Sequence, residues 1–276
     1  MTDISIVIYS YKGKNLADVL ESLLESASSE IHITVYDQHP MDRKEKLSKL
    51  HNIQYRHIFW DEILSPTSYK AGGLNDENIV APYSMLISDD IQLADGWDKT
   101  LIRYISENNK IVSGFSSGKL MVHDKYFLRQ EVIASDGFAT TNYINTNFIF
   151  ARTETLRNLK YPDDVKYFGE AEKLSMDAFI KNVDVVCAPS NILKKDFGDR
   201  TMENLYVPFS TEHNYNSCID MMLSEEYSGW VEFHGLSDRL PKKLPYQIDD
   251  VLYNPYDLKF NDVEQDRFIG LVKAIY

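Results

Sequence analysis

Cysteine is almost missing: Cys187 and Cys218 are the only two in 276 residues, and their spacing fits neither a metal site nor a redox pair. A disulfide framework is therefore excluded, and a reducing compartment is expected. Long apolar runs are missing too. None reaches the roughly 18 residues that a membrane span needs, and the opening MTDISIVIYSYKGKN has no basic leader ahead of an apolar segment. The expectation is a soluble, cytoplasmic chain with no membrane partner. Basic residues are outnumbered, 29 Lys and Arg against 42 Asp and Glu for a formal charge of -13, which argues against a broad surface that coats nucleic acid. Nucleic acid then enters only as an acceptor. Internal repeats and low-complexity linkers are absent, and no glycine-rich triphosphate loop follows the first apolar run, which weakens a nucleotidyltransferase reading.

What is present is core material, 43% apolar with tyrosine the most abundant aromatic at 18. ISIVIY, Ile4 to Tyr9, is a β-branched run of the kind buried on both faces of a parallel sheet. Leu16, Val19, Leu20, Leu23 and Leu24 then recur at helical spacing, and HITVY, His32 to Tyr36, is a second strand that ends at Asp37. Further strands are predicted at Ile53 to His57, Tyr83 to Ser88, from Val112, Ile144 to Ala151 and Val183 to Cys187. Helices are predicted at Lys99 to Glu107, Thr153 to Leu159 and Glu170 to Lys181. ILSPTSYKAGG, residues 63–73, reads as a loop. The mixed stretch Gly114 to Asn145 suggests a second sheet that presents an acceptor. Strands alternating with helices define an α/β fold, a Rossmann-like, mixed but mainly parallel sheet flanked by helices. Its main domain covers residues 1–200. Alternation fades beyond, so 201–276 reads as a C-terminal appendage packed on the same domain.

SMLISDDIQLADGWD, Ser84 to Asp98, delivers Asp89 and Asp90 to the end of an apolar strand. Open α/β sheets bind ligands just beyond their carboxyl strand ends, and Tyr9 to Tyr11, Asp37 and Asp89 with Asp90 all fall there. Paired carboxylates at such an edge suit a hard divalent cation, Mn2+ or Mg2+, that also touches the phosphates of a nucleotide-sugar. The plain alternative is a turn capped by aspartate. Trp97 reads first as a core aromatic that anchors the following loop, and Asp98 as the cap of a helix beginning at Lys99.

SIVIYSYKGKNLADVLESLLES with IHITVYDQ resembles the opening of the GT-A fold glycosyltransferases, including family-2-like ones, over residues 3 to 198. The resemblance implies donor contacts from Tyr9, Ser10, Tyr11 and Asp37. SPTSYKAGGLNDENIVAPYSMLISDDIQLADGWDKTLI is similar to the cytosolic hydroxyproline N-acetylglucosaminyltransferase family, which implies roles for Lys70 and Ser88 at the donor and for Asp90 and Asp89 at the metal. Ser88 replaces that family's first acidic residue, Asp90 its histidine and Lys70 its arginine. YFGEAEKLSMDAF resembles the acceptor-side Gly-Glu-Asp stretch, so Glu172 first and Glu170 second are the candidate catalytic carboxylates, against first-turn acids placed by a helix dipole. An inverting reaction would use one as general base. A retaining one would use it to orient the acceptor. After CAPSNIL, where the family often has a histidine, Lys194, Lys195 and Asp196 follow. Lys195 is assigned to the leaving diphosphate, and Asp196 or the distant His213 to the cation.

The function expected is transfer of a sugar, hexose or pentose, from a UDP-sugar to a hydroxyl on a protein side chain, a glycan or a modified base. One alternative is a phage-type glycosyltransferase acting on hydroxymethylated DNA bases. Another is a non-catalytic module that binds a nucleotide-sugar without turning it over.

Overall fold

A computed structural model describes residues 2–10, 15–37, 43–47, 50, 53–57, 66–105, 109–115, 137–141, 143–162, 170–196 and 220–233. Strand β1 (Ile4–Ser10) is buried at all seven positions, because it has a parallel neighbour on each side and helices above and below. β2 (Ile31–Asp37) and β4 (Tyr83–Ser88) flank it, and β3 (Ile53–His57) lies outside β2. The eight-stranded sheet runs β3-β2-β1-β4-β8-β6-β9-β7. β8 (Phe148–Arg152) is antiparallel to both β4 and β6 (Lys110–Phe115), while β9 (Asp184–Ala188) is parallel to β6. The sheet is therefore mixed and mainly parallel.

Period-two alternation sorts β1 between two layers. Ile4, Ile6 and Ile8 pack with Leu16, Val19, Leu20 and Leu23 of α1 (Leu16–Ser26), the crossover from β1 to β2. Trp97 and Leu101 of a later helix (Trp97–Ile105) join that layer. Val7 and Tyr9 face the other way, towards Ala71 and Leu74 of another helix (Pro66–Leu74), Leu156 and Leu159 (Thr153–Leu159), and Leu174 and Ala178 (Glu170–Ile180). With the single turn α2 (Lys44–Leu47), these four later helices are α3, α4, α5 and α6 in chain order, beginning at Pro66, Trp97, Thr153 and Glu170.

Three expectations from sequence change. Residues 66–74 form α3 rather than a loop. Proline suits a first helical turn, and Gly73 lets the helix touch the sheet: a Cβ there would lie 2.8 and 2.9 Å from the two Val7 methyls. Of the stretch Gly114 to Asn145, expected in a second sheet, the described Ala139–Thr140 forms β7, which pairs with β9 in the main sheet, while residues 116–136 lie outside the described residues. The small second sheet joins β5 (Ile91–Leu93) to β10 (Leu193–Asp196). Helix α4 begins two residues before the expected Lys99, which places Asp98 inside its first turn.

Of the expected appendage, the stretch around α7 (Ser228–Phe233) is described. Met222, Tyr227, Trp230 and Val231 cluster with Met176 of α6. Residues 201–219 and 234–276, with His213, lie outside the described residues. Among the described residues no helix is long and apolar enough to cross a membrane.

Candidate active site

Parallel register builds the site. Ser10 stands opposite Asp37, and Tyr9 opposite Ser88, so Ser10 comes level with Asp89. Three strand ends thus place Asp37, Ser10 and Asp89 in one transverse row at the carboxyl edge. The preceding row, Tyr36, Tyr9 and Ser88, belongs to the alternate face.

Hydrogen bonds tie the polar row together in one direction. Asp37 is fully buried. The Arg43 guanidinium donates from Nε to Asp37 Oδ2 at 2.7 Å and from Nη2 to Oδ1 at 2.5 Å, and the Tyr55 hydroxyl donates to Oδ2 at 2.7 Å. Arg43 Nη2 also donates to Ser10 Oγ at 3.1 Å. A guanidinium has no acceptor, so the Ser10 hydroxyl directs its own hydrogen to Asp89 Oδ2, 2.5 Å away. Arg43 and Tyr55 escaped the sequence reading, because an arginine just past a strand end carries no local sign of a buried carboxylate partner.

Asp89 is held in a costly state. Burial, above all, and the neighbouring charges of Asp90 and Asp37 push its carboxyl up from 3.8 to about 7, against the lowering effects of the Ser10 hydrogen bond and Arg43. A divalent cation would relieve that excess of carboxylate. Among the described residues no group of three His, Cys, Asp or Glu side chains is arranged to hold a metal ion. Two carboxylates nevertheless suffice for a cation that completes its shell with phosphate and water, and Asp89 with Asp90 forms the tight turn between β4 and β5. The residues fit Mn2+ or Mg2+. Antiparallel pairing sets Asp196 opposite Ile91 and Lys195 opposite Gln92, which brings the β10 backbone beside this turn. The Asp196 side chain lies outside the description, as does Tyr11.

On the other layer Lys70 of α3 donates from Nζ to Glu170 Oε1 at 2.8 Å, and the Tyr161 hydroxyl donates to Oε2 at 3.0 Å. Glu170 opens α6 and is buried; Glu172 follows in the same first turn, half-buried. Burial first, then the Glu170 charge, raises the Tyr161 hydroxyl well above its ordinary range. Tyr69, next to Lys70, packs its ring against Tyr9 (centroids 6.1 Å apart) and Tyr36 (5.5 Å). This places α3 against the inner row of the strand ends.

Gly96, Trp97 and Asp98 do something other than bind sugar. Trp97 is fully buried and meets Phe150 edge-on, as a core aromatic should. Gly96 adopts φ 73°, a left-handed turn that favours glycine, and its N–H donates to Ser26 O at 3.0 Å. Asp98 Oδ2 accepts from the Ser28 and Ser29 N–H groups at 3.0 and 2.7 Å. The expected cap of its own helix is instead a clasp on the corner between α1 and β2.

A mixed, mainly parallel sheet with helices on both layers, edged by acidic residues at the ends of β2 and β4, defines a GT-A-like glycosyltransferase fold. A structure of S. aureus TarS is similar at a TM-score of 0.52 and 13% identity over 100% of this chain and 48% of that one. TarS 1-349 in complex with UDP is similar at 0.50 and 13% identity, over 82% of this chain and 67% of that one. This chain thus spans about half of the longer TarS chain. No family model matches it, and no curated protein does.

Proposed function

We propose that this protein transfers a sugar from a UDP-sugar to a hydroxyl acceptor. The observation that carries the reading is the row Asp37, Ser10 and Asp89, with Asp90 next to it, at the carboxyl edge of β2, β1 and β4. Carboxylates gathered at such an edge suit a cation and a pyrophosphate. UDP is the nucleotide named with TarS, and it is the donor nucleotide proposed here.

Asp90 and Asp89 would hold Mn2+ or Mg2+, with Asp196 the third candidate. The cation's contribution, when bound, is to neutralise the charge that gathers on the departing diphosphate. Asp89 Oδ2 accepts from the Ser10 hydroxyl, a bond that would fix the carboxylate a cation uses. Arg43 and Tyr55 saturate much of Asp37, so that carboxylate shapes the nucleoside side of the site from a fixed position. Tyr9, Tyr11 and Ser88 line the donor edge, and Lys70 and Lys195 supply positive charge to the diphosphate. Glu172, the first candidate from the sequence, takes the acceptor-side role, and Glu170, which accepts from Lys70 and Tyr161, is the second. For inversion Glu172 accepts the acceptor's proton; for retention it orients the acceptor.

The test is UDP release from a panel of UDP-sugars with Mn2+, read together with mass spectrometry of candidate acceptors. Wild-type protein is expected to release UDP and Asp90→Ala to lose at least tenfold in rate, on the order of one charge-stabilising contact. UDP binding with neither hydrolysis nor transfer for any sugar would replace the enzyme by a binding module.

A further inference from the structure

We propose that Glu170 and the donor's diphosphate compete for Lys70, so that the ion pair between α3 and α6 is a latch opened by donor binding. The inference rests on the UDP-sugar reading above and adds an order of events to it. Lys70 and Glu170 meet 100 positions apart in sequence at 2.8 Å, with side chains 17% and 10% exposed. The pair is sheltered from water but still open on one side. An ammonium is a point charge on a flexible stem, so Lys70 can turn while Glu170 stays.

Two surroundings make the exchange workable. Glu170 keeps a second donor, the Tyr161 hydroxyl at 3.0 Å, so the carboxylate is not stranded when the lysine leaves. Lys70 itself is one residue from Tyr69, whose ring lies against Tyr9 and Tyr36 in the row just inside Ser10 and Asp37. A dianionic group held by Asp89, Asp90 and a cation offers Lys70 more charge than one carboxylate does. The released Glu170, at the head of α6, adds negative charge beside Glu172 only after the donor has arrived. Donor would therefore bind before acceptor.

The experiment measures UDP affinity by calorimetry in Mn2+ for wild type, Lys70→Ala, Glu170→Gln and the double variant. Removing the competitor is expected to tighten UDP about threefold to tenfold, and removing the lysine to weaken it about tenfold. In the Lys70→Ala background Glu170→Gln should change nothing, the signature of coupling. Glutamine keeps an oxygen for Tyr161, which favours folding. The unmodified protein gives a second measurement: the lysine-selective 15N signal of Lys70, assigned by its loss in Lys70→Ala, should move on addition of UDP. Unchanged or weakened UDP affinity in Glu170→Gln, a gain that persists without Lys70, or a Lys70 signal indifferent to bound UDP overturns the latch alone. Wild-type protein that binds no UDP overturns the latch together with the function it rests on.

Discussion

Asp37 is the most committed side chain of the site: it is fully buried and accepts from Arg43 twice and from Tyr55. Arg43→Ala leaves that carboxylate charged and short of donors, a change that generally costs about 3–5 kcal/mol, and calorimetric unfolding should show it. Arg43→Lys, which keeps charge but loses the fork, should recover part of the loss. Asp89 has the opposite character. Its carboxyl ionises near 3.8 in the unfolded chain and about 7 in the folded one, so the folded state binds the proton more tightly. That contribution to stability is complete below about pH 4 and lost as pH rises through 7. In chelator, the melting temperature of wild type minus that of Asp89→Asn should fall steadily between pH 4 and 7. A flat difference would show that the carboxyl is not buried as described. Sequence exposed the two aspartates, since apolar runs led straight into them, but it concealed that Arg43 grips Asp37 directly and eases Asp89 only from a distance, against burial.

Element by element, strands were easier to foresee than their attachments. β1 and β4 lie where apolar runs predicted them, because burial on both faces leaves a continuous signal, and β2 and β3 also lie at their predicted places, β3 as an edge strand with alternating exposure. Helix α3 was hidden by Pro66, Gly72 and Gly73, which weaken a helical pattern, and its reason is tertiary: Gly73 lies against the branched, buried Val7. Gly73→Ala should destabilise by about 1–3 kcal/mol, the usual cost of overpacking. Val7→Ala in the same chain should return part of it, and strict additivity in this cycle would refute the contact. Long-range polar contacts were invisible for the same reason. Asp98 reaches Ser28 and Ser29 across 70 and 69 positions, which no local window contains. Asp98→Ala should cost about 0.5–1.5 kcal/mol by removing two hydrogen bonds whose donors can turn to water, while UDP affinity of the folded variant stays at the wild-type value. A variant that folds normally and loses UDP would return this aspartate to the site.

For the molecule as a whole, composition and alternation foretold an α/β chain, but how far the residues after 200 support the sheet and its helices depends on contacts that only the fold reveals. Met222, Tyr227, Trp230 and Val231 cover Met176 of α6. At the polar side of that cluster Tyr227 donates to Asp177 Oδ1 at 2.7 Å and Lys173 to Oδ2 at 2.9 Å. Burial works to lower the Lys173 ammonium, yet the hydrogen bond and charge of Asp177 overcome it and hold the group at about 12. The ammonium therefore stays charged throughout the pH range in which Asp89 titrates. Because Glu170 and Glu172 open the same helix whose next turns carry Lys173, Met176 and Asp177, loss of the covering segment should loosen the acceptor side and not only trim the edge. A chain ending at residue 200 is expected to melt lower than the full protein, to bind a hydrophobic dye through the uncovered Met176 face, and to lose transfer. Tyr227→Phe in the full chain should give a smaller drop of about 1–2 kcal/mol, because the hydroxyl's bond to Asp177 and its longer one from Lys173 are removed without opening the apolar cluster. A shortened chain with an unchanged melting temperature and full transfer would show that α6 keeps its place without the segment, and that the residues after 200 ride on the sheet and its helices instead of completing them.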